Sequence, residues 1–221
     1  MEEPYIIISQ QMDNVQFSWI WFLLIPYLIF LGYITYSELR GDTMAILGMH
    51  MSGKTTLLRH MQGLPLDPHY KPTEIVPYKK FDWKIGDRKI KAGVDLGGGD
   101  EWVKDNYPKL IAENDIIIFV FDAYEFENDT VYKRATLGRI DFVFDFIFKI
   151  KQEPNSFIKN HFALIGTHSD KIRSESPRSL IRKWQKDYSE KPYSKVFKNN
   201  IALLDMRNAD EINTILKRLF L

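Results

Sequence analysis

The stretch that decides the fold is TMAILGMHMSGKT, Thr43 to Thr55, in which an apolar run meets the pattern G-x-x-x-x-G-K-[ST]. The apolar run predicts a β-strand, and the residues TLLRHMQG that begin at Thr56 predict a helix. Between them, Gly48 and Gly53 let the backbone curl, so that successive N–H groups surround an anion at the helix N-terminus. A strand, this loop and a helix in that order predict a phosphate-binding loop.

The polar residues of this loop have distinct chemical roles. Lys54 supplies a point charge to the β- and γ-phosphates of a nucleotide, and the Thr55 hydroxyl ligates Mg²⁺. The predicted nucleotide contacts in this stretch are Gly48, His50, Met51, Ser52, Gly53, Lys54, Thr55 and Thr56.

A second motif follows a predicted strand at Ile90–Val94 and reads Asp95-Leu96-Gly97-Gly98. A carboxylate at a strand end can hold Mg²⁺ through water, which is the role predicted for Asp95. The Gly98 N–H is predicted to meet a γ-phosphate. This motif gains weight because it lies between the phosphate-binding loop and a third element.

The third element is an apolar run, Phe162–Gly166, that leads to Thr167-His168-Ser169-Asp170. The carboxylate of Asp170 can accept both N–H groups of a guanine edge. We therefore predict base contacts from Thr167, His168 and Asp170.

Together these motifs resemble those of the small GTPases, and most closely those of the ADP-ribosylation factor, Sar and signal-recognition-particle-receptor β group. The resemblance covers roughly residues 43–221 and implies GTP or GDP with Mg²⁺ as ligands. It also implies that Pro72-Thr73 belongs to a first switch, with the Thr73 hydroxyl on Mg²⁺ and the γ-phosphate. A hairpin turning at Gly86-Asp87 and a central strand from Asp115 to Phe121, ending in Asp122, complete the likeness.

Three residues depart from that family pattern. Gly99 stands where a glutamine usually orients the attacking water, and His50 stands where many members carry Gly or Asp. The base motif is T-H-x-D instead of N-K-x-D, a form that resembles the Roc GTPase domains.

These departures lead us to expect slow intrinsic hydrolysis. The predicted catalytic residues are Lys54, Gly98 and Asp100. Either Asp100 or Glu101 orients the water in place of the missing glutamine, or a partner supplies the group. An arginine finger from a partner is worth ~10³ to 10⁵ in rate.

The N-terminal part of the chain predicts a membrane anchor. Residues 17–36, FSWIWFLLIPYLIFLGYITY, are twenty residues without a charge, enough to cross a hydrocarbon core of ~30 Å as a helix. The acidic leader, which contains Glu2 and Glu3, and the lack of an A-x-A pattern argue against a cleaved signal peptide. Arg40, Lys54 and Arg59 follow the span and no Lys or Arg precedes it, which places the C-terminal side in the cytoplasm.

Composition excludes lipid anchors and argues against nucleic acid and a histidine metal site. The chain has no cysteine and carries Glu at position 2, so prenylation, palmitoylation and N-myristoylation are excluded as anchors. A net charge of +1 gives no reason to expect nucleic acid, and the five histidines have no metal-ligand spacing.

Two other segments have open interpretations. Residues 171–198 carry nine Lys/Arg against three Asp/Glu, with four aromatic residues interleaved, which fits a solvated helix face or a contact with anionic lipid. Residues 140–150 alternate like a strand, but their place between two core strands demands a crossover helix, and we predict a helix. Its aromatic side chains would cover more than one face, which favours either core packing or a partner surface.

We therefore predict an N-terminal extension (1–16), a transmembrane helix (17–36), a linker (37–42) and a small GTPase-like domain (43–221). The domain is expected to be a three-layer α/β fold with a mostly parallel sheet, an antiparallel second strand, and nucleotide at the carboxyl ends of the strands. Three functions remain open: a GTP-binding switch that recruits a partner protein to the membrane, a GTP-loaded scaffold subunit of a membrane complex, and an ATP-using P-loop protein.

Overall fold

The computed structural model describes residues 21–33, 41–65, 76–85, 88–95 and 100–220. The chain divides into two units, Met1–Gly41 and Asp42–Leu221. In the first unit, residues 21–33 form a helix, α1. No helix within the described ranges combines the length and the apolar character needed to cross a membrane. Both ends of the predicted span, 17–20 and 34–36, lie outside the described residues, as do the extension 1–16 and the linker up to residue 40.

The second unit alternates strands and helices along the chain. Its elements are β1 (Asp42–Gly48), α2 (Lys54–Met61), β2 (Val76–Ile85), β3 (Arg88–Asp95), α3 (Asp100–Glu113), β4 (Ile116–Asp122), α4 (Ala123–Asn128), α5 (Thr130–Ile150), α6 (Pro154–His161), β5 (Phe162–Thr167), a 3₁₀ turn (Ser169–Lys171), α7 (Pro177–Asp187), α8 (Ser194–Asn199), β6 (Ile201–Leu203) and α9 (Ala209–Phe220).

The six strands form one sheet in the order β2-β3-β1-β4-β5-β6. Every neighbouring pair is parallel except β2 and β3, which are antiparallel. The predicted mostly parallel sheet with an antiparallel second strand is confirmed. The turn predicted at Gly86-Asp87 lies outside the described residues, between the end of β2 and the start of β3.

Side chains on the central strands alternate between two hydrophobic cores. Met44 and Ile46 of β1 pack with α2 and α9, whereas Ala45 and Leu47 pack with α3 and α5. All seven residues of β4 are buried, because helices cover both faces of the sheet. Burial on both faces explains why these strands are continuous apolar runs, and it confirms the predicted three layers.

Residues 140–150 are helical and form the second half of α5, as predicted. The helix begins after Asp129, whose carboxylate accepts hydrogen bonds from the N–H groups of Val131 and Tyr132. On this half Val143, Phe144 and Ile147 are buried. Part of the aromatic character is therefore core packing, while Phe148 and Ile150 stay exposed.

The basic segment 171–198 contains α7 and α8. Its aromatic residues Trp184, Tyr193 and Phe197 are fully buried and pack against one another. Its nine Lys and Arg side chains are all exposed. Three of the four interleaved aromatic residues thus belong to the core, and the cations lie on the solvent-exposed side of the same segment.

Candidate nucleotide site

The phosphate-binding loop runs from the end of β1 to the start of α2, and its backbone is specialised. Gly48 has a φ of 139°, and a Cβ on it would lie 1.9 Å from the carbonyl oxygen of Val120 on β4. Gly53, which precedes α2, has a φ of 83°, a left-handed conformation that favours glycine. Both glycines of the motif are thus required by the path of the chain.

Met51 is the residue of this loop that breaks the usual conformational preference. Its φ is 55° although it has a side chain, and that side chain is 64% exposed. Non-glycine residues in this region are uncommon and cluster at binding and catalytic sites. The loop therefore holds a conformation that intrinsic backbone preference does not explain.

Two buried polar side chains of the loop converge on one carbonyl. The Lys54 Nζ donates to the Met49 oxygen at 2.6 Å, and the Ser52 Oγ donates to the same oxygen at 2.8 Å. Lys54 is only 6% exposed and Ser52 is fully buried. The ammonium group therefore lies inside the curl of the loop.

The first predicted base residue, Thr167, contacts the phosphate-binding loop directly. Its buried hydroxyl lies 2.9 Å from the Ser52 carbonyl oxygen and 3.2 Å from that of Phe121. The structure thus brings together two motifs separated by 115 residues.

His168, the second predicted base residue, adopts a φ of 55° and pairs with the end of β4. Its Nδ1 lies 2.7 Å from Asp122 Oδ2. Burial raises the pKa of the Asp122 carboxyl, but hydrogen bonds from His168 and from the N–H groups of Glu125 and Tyr124 outweigh it and lower that pKa below its ordinary value. Asp122 is thus an anion that orients the imidazole.

Asp170, the predicted guanine reader, faces an arginine that sequence reasoning did not identify. Arg207 Nη2 lies 3.3 Å from Asp170 and 2.7 Å from Asp205. Hydrogen bonds from Arg207 lower the pKa of the Asp205 carboxyl to about 2. Asp205 and Arg207 follow β6, and the three residues of this strand are too few for a recognisable strand pattern.

The predicted Mg²⁺ ligands are only partly described. Thr55 lies in the first turn of α2, and Asp95 ends β3, paired in register with Ile46 of β1. A hydroxyl and a carboxylate are oxygen donors of the kind that Mg²⁺ prefers, so these residue types suit the predicted ion. Thr73, Gly98 and Gly99 lie outside the described residues. Asp100 is the first residue of α3. Among the described residues no cluster of three His, Cys, Asp or Glu suits a metal.

Two further residues contact the loop and had no sequence signal. The hydroxyl of Tyr107 on α3 lies 3.0 Å from the Gly48 nitrogen, and Nη1 of Arg139 on α5 lies 3.3 Å from the Gly48 oxygen. Neither belongs to a motif, and each is far from Gly48 along the chain. Only the packing of α3 and α5 on the sheet brings them there.

Comparison with known proteins agrees with this architecture. No protein-family model matches the chain, and no curated protein matches it. Among solved structures it is similar to a probable GTP-binding protein EngB, with 16% identity and a TM-score of 0.53 over 80% of this chain and 96% of that one. It is also similar to the small GTPase Arl6 (BBS3) from Trypanosoma brucei with bound GppNp, with 14% identity and a TM-score of 0.53 over the same shares. The chain therefore has an α/β fold with a mostly parallel sheet that matches P-loop GTPase folds.

Proposed function

We propose that this chain is a membrane-anchored GTP-binding switch, which holds GTP-Mg²⁺ and recruits or regulates a partner protein at the membrane. The observation that carries nucleotide binding is the buried Lys54 ammonium inside a glycine-shaped loop between β1 and α2. Such a charge, with the N–H groups of the loop and the N-terminus of α2, suits a chain of phosphates. The likeness to a small GTPase with a bound nucleotide analogue supports the same assignment.

Each part of the site has a role in this proposal. The backbone N–H groups of the loop surround the β-phosphate, and Lys54 neutralises charge on the β- and γ-phosphates. Thr55 and Asp95 would hold Mg²⁺, with Thr73 as a further ligand, and the ion would neutralise negative charge on the phosphates.

Guanine specificity rests on Asp170. A carboxylate is an acceptor only, and guanine presents two adjacent N–H donors on one edge, which adenine does not. Arg207 Nη2 lies 3.3 Å from this carboxylate and adds a positive charge beside it. Thr167 ties this strand end to the loop, so phosphate and base contacts share one framework.

We propose that hydrolysis is slow. Gly99 has no side chain with which to orient a water, and electrostatic positioning supplies most of the rate of phosphoryl transfer. The same feature supports a second candidate, a GTP-loaded scaffold subunit that hardly hydrolyses its nucleotide. Residues 17–36 provide the anchor in both cases, with the GTPase-like domain in the cytoplasm.

The nucleotide carried by the full chain, purified in mild detergent and analysed by chromatography after denaturation, tests the assignment. Bound GDP supports the switch and bound GTP supports the scaffold. Adenine nucleotide would refute guanine specificity. The variant Lys54→Ala is expected to lose the nucleotide, whereas Lys109→Ala, an exposed lysine on α3, retains it. If the wild-type chain carries no nucleotide and binds no added GDP or GTP, the proposal is wrong.

Hydrolysis is tested separately with GTP-loaded protein in a single turnover. We expect a slow rate that falls further in Asp100→Ala or Glu101→Ala, or that rises when the partner is added. A fast rate for the isolated chain, unchanged in both variants, contradicts the proposal.

A further inference from the structure

Gly48 is the last residue of β1 and lies two residues beyond the last described pairing of β1 with β3. The parallel register of β1 with β3 ends at Ile46 and Asp95. On the other side of β1, Gly48 is still in register with Val120 of β4. One edge of the Gly48 peptide groups therefore lacks a strand partner among the described residues.

The side chain of Tyr107 forms hydrogen bonds to this edge of Gly48. Its hydroxyl accepts a hydrogen bond from the Gly48 N–H at 3.0 Å and lies 3.3 Å from the Gly48 oxygen, to which it can donate. In a sheet, a neighbouring strand would accept from the N–H of Gly48 and donate to its C=O in the same way. Tyr107 is fully buried, and its ring packs near Phe142 of α5.

A second helix holds the same carbonyl. Arg139 of α5 donates from Nη1 to the Gly48 oxygen at 3.3 Å. A charged donor strengthens a hydrogen bond, so this contact adds to that of the phenol. The first residue of the phosphate-binding loop is therefore fixed by α3 and α5 as well as by β4.

The chain between Asp95 and Tyr107 contains the predicted second switch, and both of these residues are joined to β1. Asp95 pairs with Ile46, and Tyr107 bonds to Gly48 two residues later. Residues 96–99 lie outside the described residues, and α3 begins at Asp100. The phenol on α3 thus joins the described end of this segment to the phosphate-binding loop.

We propose that Tyr107 is a positioning residue for the bound nucleotide: its hydroxyl holds Gly48, and through Gly48 the whole loop, in the conformation that binds phosphate. This inference rests on the proposed nucleotide binding. Without the hydroxyl the buried Gly48 N–H loses its partner, and the loop gains alternatives to its binding conformation. Retention of the nucleotide then falls while the ring continues to fill its place in the core.

The test compares Tyr107→Phe with Tyr193→Phe in the full chain. Tyr193 is also fully buried, but its hydroxyl has no hydrogen-bond partner within the part of the chain that the structure describes. Dissociation of fluorescent mant-GDP is measured by stopped flow, together with the unfolding temperature. We expect dissociation about tenfold faster in Tyr107→Phe and within about twofold of wild type in Tyr193→Phe.

A purely structural role for Tyr107 would lower the unfolding temperature and leave dissociation from the folded protein unchanged, and that result overturns the proposal. If Tyr107→Phe does not fold, Arg139→Met tests the same carbonyl from α5 and is expected to accelerate dissociation as well. An unchanged rate in that variant also refutes the inference. Failure of the wild-type chain to bind mant-GDP would instead overturn the proposed function.

Discussion

Replacing Thr167 with valine removes one buried hydroxyl and leaves the volume of the side chain almost unchanged. The hydroxyl has a single proton. The oxygens of Ser52 at 2.9 Å and Phe121 at 3.2 Å can accept it, and His168 Nδ1 also lies 3.2 Å from the hydroxyl. The Phe121 oxygen lies within the ladder of β4 and β5, where other partners are at hand. The Ser52 oxygen belongs to the phosphate-binding loop, so we expect the lost hydrogen bond to destabilise mainly this loop.

The size of the effect follows from burial. Thr167 and Ser52 are both fully buried, and water cannot replace the lost bond without a rearrangement. Leaving a buried acceptor without its donor costs about 1 to 3 kcal/mol. If the variant loop must return to its wild-type conformation to bind phosphate, the binding free energy weakens by up to the same amount. This corresponds to a loss of nucleotide affinity of roughly 5-fold to 150-fold.

Urea unfolding of the nucleotide-free protein and titration with mant-GDP measure the two quantities. Thr214→Val is the matched control, because Thr214 is exposed on α9 and its hydroxyl donates to the Asp210 carbonyl one turn earlier, away from the loop. We expect no change in affinity there. An unfolding free energy within about 0.5 kcal/mol of wild type, together with unchanged affinity in Thr167→Val, would refute the reasoning.

Three further predictions concern the same edge of the sheet. Gly48→Ala places a Cβ 1.9 Å from the Val120 oxygen at a φ of 139°, so we expect thermal unfolding to show a loss of at least about 2 kcal/mol; an unshifted transition contradicts this. Asp170→Asn should shift preference from guanine to xanthine nucleotides in competition binding, because an amide N–H can donate to the xanthine C2 oxygen; retained guanine preference argues against Asp170 as reader. Asp122 has a pKa lowered from 3.8, so its stabilisation is complete above that pH and is lost as pH falls through the folded value. In a plot of unfolding free energy against pH, Asp122→Asn should therefore reduce the slope at acidic pH. The control Asp105→Asn, on the exposed surface of α3, should keep the wild-type slope. Parallel curves for wild type and Asp122→Asn would rule this out.

Much of the fold could be predicted from the sequence because the central strands are buried on both faces. β1, β4 and β5 each read as a continuous apolar run that ends at a polar or glycine residue. The helix at 140–150 was predicted from topology, since its alternation alone indicates a strand. A crossover between parallel neighbours has to be long, and that constraint outweighed local periodicity.

Other elements lacked a usable signal. β6 has three residues, which is shorter than any periodicity can indicate. The break between α4 and α5 depends on two aspartates that cap successive helices, Asp122 and Asp129. Side-chain capping is visible only once the local backbone is known, so the boundary between these two helices was not predicted from the sequence.

The site divides in the same way. The sequence pattern predicted the loop between β1 and α2, because the motif fixes the spacing of residues such as Gly48 and Lys54. Their contacts with phosphate remain a prediction. Tyr107, Arg139 and Arg207 were not predicted, since each reaches the site from a helix or loop whose place depends on the whole fold. Such contacts leave no local pattern, because any of several positions on α3 or α5 could have supplied the donor.

The phosphate-binding loop is held by contacts from most of the domain. Met49 N–H bonds to Val120 on β4, Gly48 to Tyr107 on α3, and Ser52 to Thr167 on β5. A loop fixed in this way loses little conformational freedom when a ligand binds, which favours affinity. By linkage, a ligand that binds only this conformation stabilises every element that supports it. We therefore expect bound nucleotide to slow amide exchange in β4, β5 and α3 together, and not in the loop alone.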